Sequence, residues 1–372
     1  MKHDTTSLLS AVPGTARTLD SFRFGPADAE QRVYIQGALH ADELPGMLVA
    51  WALKQRLKAF DEAGLLHAEV IVVPVANPIG LDQQLMDVPL GRYDFESLAN
   101  FNRHFADVSD AIAEGLEPLL SDDAAHNQRV IRERFYRALG AITPASAYEH
   151  QHLVLQQLAC RADYVLDLHC DFEAVPHLYT TPAAWPTFEP LARYIGSLAQ
   201  PLAADSGGQS FDECFTLVWE QLRARFGDRY PIPYGTASVT VELRGQGDVD
   251  YTLAEQDSDA ILNWMRHHAL IDEPAPALPD LLFPATELSA MEFLKAPAGG
   301  VLVFHVAPGT EVHKGQRIAD IIDPITDEVH PVTATQAGML YARNQRHMAT
   351  RGMIVADIAG FDAKRSGYLL AP

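Results

Sequence analysis

The chain has 372 residues, with 28 Lys or Arg against 49 Asp or Glu and a formal net charge of −21. So acidic a balance argues against nucleic acid or an anionic membrane as the main partner, because both demand a basic face. An apolar fraction of 48% with 21% charged residues is that of a folded globular protein, long enough for a large domain and a small one.

In chain order, Val33–Gln36 reads as a short β-rich segment. Residues Gly46–Phe60 place Leu48, Ala52, Leu53 and Leu57 at helical spacing, and Val70–Val75 is a run fit for a buried strand. Helices are predicted over Gln128–Leu139 and Ala147–Leu158, strands over Tyr164–His169 and Ala237–Leu243, and a closing helix over Ala260–Leu270. Apolar strands interleaved with helices predict an α/β domain over residues 1–272 with a mostly parallel or mixed sheet. Pro274, Pro276, Pro279 and Pro284 then predict a linker over 273–289. From 290 to 372 short apolar runs begin on Gly300, Gly315, Gly338 and Gly352, the pattern of a small all-β module. Segment 298–321 echoes 337–358, each closing on Gly-x-x-Ile/Val-Ala-Asp-Ile, and two similar halves predict a compact barrel.

Cys160, Cys170 and Cys214 have neither the number nor the spacing of a disulfide framework or a Cys-based zinc site, which suits a reducing compartment. The N-terminus lacks a basic segment followed by an apolar run, and no stretch reaches the roughly 18 apolar residues of a spanning helix. A cytoplasmic protein is the expectation.

Chemistry concentrates in a few segments. In "GALHADELPG" (37–46), His40 falls on a strand-to-helix loop, Glu43 at the start of the helix and Pro45 in its first turn. Taken alone, His-x-x-Glu there is more economically a loop histidine and a glutamate serving the helix dipole. Asp167-Leu168-His169 ends another buried strand, at the carboxyl edge where sites of open α/β sheets gather. Two histidines and a glutamate with an open fourth position make a catalytic zinc donor set. Alternation puts Asp167 on the face of His169, where it could orient that ligand. Glu242 closes an apolar strand and is a candidate general base; a salt bridge with Arg244 is its structural alternative. Arg92 and the pair Asn102-Arg103 offer forks for a carboxylate or an oxyanion. His150 and His152 lie two apart on a predicted helix and diverge. Cys170 is expected to face the core, and His267, His268, Trp219 and Phe226 read as structural.

The ordered set "GALHADELPG" (37–46), "VPVANPIGLDQ" (73–83), "NFNRHF" (100–105), "DLHC" (167–170) and "TVELRG" (240–245) resembles the succinylglutamate desuccinylase/aspartoacylase family of the zinc carboxypeptidase superfamily. That resemblance implies a mixed sheet with helices on both faces and one Zn²⁺ per chain, held by His40, Glu43 and His169. It implies Glu242 as general base, Asn102 and Arg103 on the substrate carboxylate, and Arg92 on the scissile carbonyl. Arg244, beside the base, is expected to touch substrate. The implied reaction is hydrolysis of the amide of a small N-acyl amino acid or a related N-acylated amine. A metallocarboxypeptidase of short peptides and a non-catalytic ligand-binding protein are the alternatives; a homo-oligomer is compatible with either. The C-terminal module resembles the biotinyl/lipoyl barrel. Its corresponding turn, Pro324–His330, has no lysine to modify, so a role in access or assembly is expected instead of a carrier role.

Overall fold

Alternation along four strands builds the centre of the molecule. Val33 and Ile35, Val70 and Val72, Leu166 and Leu168, Val239 and Val241 bury their side chains in one core, whereas Tyr34, Ile71, Val73 and Val165 bury theirs in another. Strand neighbours point to opposite faces, so one sheet is covered on both sides.

The computed structural model describes residues 1–370. Among them the main sheet has nine strands: β1 (Lys2–Ser7), β2 (Thr18–Phe24), β3 (Arg32–Gly37), β4 (Glu69–Val73), β5 (Tyr164–Asp171), β6 (His177–Thr180), β7 (Gln200–Leu202), β8 (Ala237–Gly245) and β9 (Ala285–Glu287). Their spatial order is β1-β2-β4-β3-β5-β8-β6-β7-β9. The central run β4-β3-β5-β8 is parallel, while β2 and β6 join it antiparallel at either side, so the sheet is mixed. Helices α1 (Leu44–Ala63), α4 (Trp185–Ile195) and α6 (Tyr251–His267) cover one face; α2 (Ala124–Gly140), α3 (Ala147–Ala159) and α5 (Glu213–Phe226) cover the other. This is the α/β architecture expected from the sequence. No helix of the described residues is long and apolar enough to cross a membrane.

Several elements exceed the sequence reading. Strand β1 is polar and largely exposed, an edge strand held by its pairing with β2 and without a hydrophobic run to announce it. Helix α6 begins nine residues before the predicted Ala260, where the Asp250 side chain caps it by accepting the Thr252 N–H at 2.8 Å. Residues 273–284 hold no helix or strand, and Ala285–Glu287 then adds β9, parallel to β7.

Beyond β9, two antiparallel sheets face each other over a shared core of Leu294, Leu302, Ile318, Ile321, Leu340, Val355 and Ile358. The sequence duplication has a structural counterpart. Gly300–Phe304 pairs antiparallel with Arg317–Ile322 in one sheet, and Gly338–Arg343 pairs antiparallel with Ile354–Gly360 in the other. Segment Glu173–Ala174, just past β5, adds to the second sheet beside Ala342 and Arg343, so backbone hydrogen bonds stitch the module to the α/β domain. The Arg343 guanidinium donates to Glu173 across the same seam at 2.6 Å.

One close approach sets the position of the candidate site. Helix α1 starts so near β5 that a Cβ on Gly46 would lie 2.5 Å from the Leu168 carbonyl oxygen. Only glycine admits this approach, and it brings the loop carrying His40 and Glu43 against the strand carrying His169. Replacing Gly46 with Ala forces the helix from the strand. We expect Gly46→Ala to lose roughly 1–3 kcal/mol of stability, the usual cost of overpacking, read by urea unfolding.

Candidate metal centre

Glu43 occupies the N-cap position of α1, yet its side chain makes no capping hydrogen bond. The carboxylate turns instead between two imidazoles. Its Oε1 lies 2.8 Å from His40 Nδ1 and its Oε2 lies 2.7 Å from His169 Nδ1. All three residues are buried, and one ligand atom from each lies within 4.8 Å of the others. The simpler reading of Glu43 as a dipole partner therefore gives way to the convergent one.

The groups behind the histidines hold them in place. The Asp167 carboxylate meets His169 Nε2 at 2.8 Å through Oδ2 and accepts the Gln36 amide at 2.9 Å through Oδ1. Tyr34 extends this buried chain, its hydroxyl donating to Gln36 Oε1 at 2.8 Å. On the other side His40 Nε2 lies 2.8 Å from Asn100 Oδ1. The sequence did not single out Gln36, Tyr34 or Asn100; each lies on an ordinary strand or turn, and only the sheet register and the path of the 91–105 loop bring them in.

Burial and neighbouring charges set the ionisation. Burial, reinforced by the Arg92 charge, lowers the His40 pKa to about 4, so this imidazole is neutral near pH 7. Burial opposes the charged form of His169 too, but the flanking Asp167 and Glu43 carboxylates prevail and hold its pKa well above the ordinary value. Burial also works against the Glu43 carboxylate, and the two histidines overcome it, holding its pKa low. An ionised carboxylate facing two imidazole nitrogens in a buried site is a donor set that fits a divalent cation.

Glu242 pairs directly beside His169 across the β5–β8 ladder. It does not bridge to Arg244. The backbone of Arg244 takes a left-handed φ of 65°, and its guanidinium pairs with Asp257 on α6. This pairing accounts for one end of the Arg244 guanidinium, and its Nε is buried without a hydrogen-bond partner. Glu242 Oε2 is buried without a hydrogen-bond partner. Burial, together with the Glu43 charge, pushes its pKa well above the usual carboxylate range.

Arg92 donates to Glu43 Oε1 at 3.2 Å. Asn102 Oδ1 accepts the Phe211 N–H at 2.8 Å, leaving its Nδ2 3.5 Å from His169 Nε2. Arg103 donates to the Asn102 carbonyl at 2.7 Å. These residues, the three candidate ligands and Glu242 all line one cavity of about 500 Å³. Cys170, expected to face the core, also lines it, and its backbone N–H donates to Glu43 Oε2 at 3.1 Å. The far wall comes from the C-terminal module, with Arg343, Asn344, Arg346 and Asp357. A hydrogen-bonded path links the C-terminal module to the loop of His40 and Glu43: Gln345 donates to Gln246 at 3.0 Å, and Gln246 donates to Asp42 at 2.9 Å. His152 stays apart, its ring stacked on Phe105 at 4.1 Å, and His150 accepts the Leu9 N–H.

Known proteins place this arrangement. Over residues 29–268 the chain matches the succinylglutamate desuccinylase/aspartoacylase catalytic domain. No curated protein matches it in sequence. Among solved structures, a protein of the succinylglutamate desuccinylase/aspartoacylase family from Shewanella amazonensis superposes with a TM-score of 0.84 at 22% identity, covering 96% of this chain and 98% of its own. The ectoine utilization protein EutE from Ruegeria pomeroyi, in a product-bound structure, superposes with a TM-score of 0.68 at 15% identity over 97% and 95% of the two chains. A succinylglutamate desuccinylase/aspartoacylase from Rhodobacter sphaeroides gives 0.65 at 16% identity over 97% and 96%. At these identities the superpositions speak for a common fold along nearly the full length. The match of the catalytic domain covers more than half of the sequence, and the chain belongs to the succinylglutamate desuccinylase/aspartoacylase family.

Proposed function

We propose that this protein is a zinc-dependent hydrolase of the amide bond in small N-acyl amino acids or related N-acylated amines. The observation that carries the reading is the convergence of His40, Glu43 and His169 in one cavity with Glu242, Arg92, Asn102 and Arg103. His40, Glu43 and His169 would hold the ion. When bound there it supplies Lewis-acid polarisation of a carbonyl and lowers the pKa of water towards ~7.

The protein's own groups do the rest. Glu242 takes a proton from water at Oε2 as the water oxygen attacks the acyl carbon, and returns it to the amide nitrogen as the C–N bond breaks. Acid and amine are the products. Burial and the nearby Glu43 charge raise the Glu242 pKa, which favours its carrying the proton to the leaving nitrogen. Arg92 stabilises the negative charge that grows on the carbonyl oxygen. Asn102 and Arg103 hold the substrate carboxylate. A cavity of about 500 Å³, walled on one side by residues 343–357 of the C-terminal module, favours a small molecule over a polypeptide. We assign the module, residues 290–372, this limiting role. Cys160, Cys170 and Cys214 are buried thiols outside any disulfide, which supports the expected reducing, cytoplasmic setting.

Three outcomes are expected. Metal analysis of the purified protein should find about one zinc per chain, as a catalytic site with three protein ligands requires, and turnover of a panel of N-acetyl and N-succinyl amino acids should vanish with chelation and return with Zn²⁺. Hydrolysis of dipeptides instead would favour the carboxypeptidase alternative. Glu242→Gln should lower kcat by roughly 10²–10⁴ with zinc still bound; a wild-type rate would remove Glu242 as the base. Gly208 tests the carboxylate site. A Cβ there would lie 2.6 Å from Arg103 Cδ. Gly208→Ala should therefore shift Arg103 and raise KM roughly ten- to hundredfold for carboxylate-bearing substrates, the worth of a hydrogen bond to a charged group, with little change in the melting temperature.

A further inference from the structure

The second sheet of the C-terminal module has two apolar faces. Leu340 and Ile358 bury in the module's own core, whereas Met339, Tyr341 and Ala359 join the cluster that fills the seam with the α/β domain. Asp357 falls on the seam face. It stands in register with Phe293 on one side and Ala342 on the other, both members of the seam cluster. A carboxylate at a position that the pleat reserves for apolar side chains is costly unless it is paired or used.

The internal duplication offers a comparison within the same chain. Segments 318–321 (Ile-Ala-Asp-Ile) and 355–358 (Val-Ala-Asp-Ile) correspond, so Asp357 is the counterpart of Asp320. Asp320 is paired: its Oδ2 lies 2.8 Å from His305 Nε2, and its Oδ1 accepts from Arg317, three residues earlier. Three residues before Asp357 stands Ile354, which carries no donor. Asp357 Oδ1 is buried without a hydrogen-bond partner. The charge of Arg365 reaches it, but that guanidinium lies over the Phe293 ring at 4.1 Å, donates to the Leu369 carbonyl and keeps its own Nη1 unpartnered. Arg343, on the same wall, is already engaged by Glu173.

Asp357 lines the cavity together with Tyr179, Phe293 and Asp171. A carboxylate bordered by aromatic residues suits an ammonium or guanidinium group, which brings charge, N–H donors and attraction to ring faces at once. The groups assigned to the substrate carboxylate, Asn102 and Arg103, belong to a different wall, so the two charges of a zwitterionic substrate would be met by different domains.

We propose that Asp357 is a specificity residue that pairs with a cationic nitrogen of the substrate, so that the protein takes amides bearing an ammonium or guanidinium group in addition to the scissile bond. This inference rests on the hydrolase reading above and narrows its substrate class. The C-terminal module then reads charge as well as limiting size. The cation belongs either to the amine half, as in an N-acylated diamino acid, or to the acyl half, as in an aminoacyl group.

The test compares cationic and neutral substrates of matched shape, using the full-length protein as purified, for wild type and Asp357→Asn. On the amine side the pair is Nα-acetyl-ornithine and N-acetyl-norleucine. On the acyl side it is γ-aminobutyryl-glycine and pentanoyl-glycine. Wild type should favour the cationic member of one pair at least tenfold in kcat/KM, chiefly through KM, and the pair that shows it assigns the half that carries the charge. Asp357→Asn should cut that preference roughly ten- to hundredfold, the worth of a hydrogen bond between charged groups. A ratio within a pair cancels any general loss of activity, so a merely structural residue would not move it. Equal kcat/KM within both pairs in wild type overturns the proposal, whether or not the variant folds; so does a preference that survives in Asp357→Asn. Calorimetric binding of the same compounds separates this inference from the hydrolase reading. Tenfold tighter binding of a cationic member, lost in Asp357→Asn but without turnover, keeps the cation site and removes the hydrolase reading. Absence of both turnover and charge-selective binding overturns the proposal too.

Discussion

A single carboxylate between two imidazoles governs the organisation of this protein. Glu43 is 2% exposed, and a buried carboxylate is costly unless it is paired and hydrogen-bonded. Here it meets His40, His169, Arg92 and the backbone of Cys170, and it gives up the helix cap that its position offers. Much of the surrounding architecture maintains that meeting. Gly46 lets α1 approach β5, the β5–β8 register sets Glu242 beside His169, and Asp167 and Asn100 brace the outer nitrogens of the two rings.

The cavity sets Arg92, Arg103, Arg343 and Arg346 among seven Asp and Glu side chains. Its cations are separate points in an acidic lining, each placed to pair with a single group. The same cavity holds Glu242 with an unpartnered oxygen. Buried polar atoms without partners are rare in folded proteins and point to a missing ligand or to a proton in transit.

The C-terminal module completes the cavity instead of hanging from it. Its second sheet continues into Glu173–Ala174, next to the strand that bears His169, so its wall is registered against the site by backbone hydrogen bonds. A separate apolar cluster, with Met291, Met339 and Tyr341 against Val175 and Tyr179, fills the seam. Movement of the module would break both the ladder and this packing, which is why its residues can serve as a fixed wall.

Local patterns made much of this visible in the residues alone. Alternating and continuous apolar runs announced β3, β4, β5 and β8, helical spacing announced α1, α2 and α3, and an internal echo announced the paired halves of the C-terminal module. The ordered motifs contain His40, Glu43, His169, Glu242, Asn102 and Arg103, which the fold brings to one cavity; Arg92 joins them from outside those motifs. What chain-local reading misjudged was always a partnership. Arg244 looks like a neighbour of Glu242, but its guanidinium pairs with Asp257; Asn100 looks like a turn residue, but the loop path sets it against His40. Spacing along a polypeptide determines which residue types are available. Which atoms face one another is decided by sheet register, by close approaches such as that at Gly46, and by the docking of one module on another, and none of these is a property of any segment taken alone.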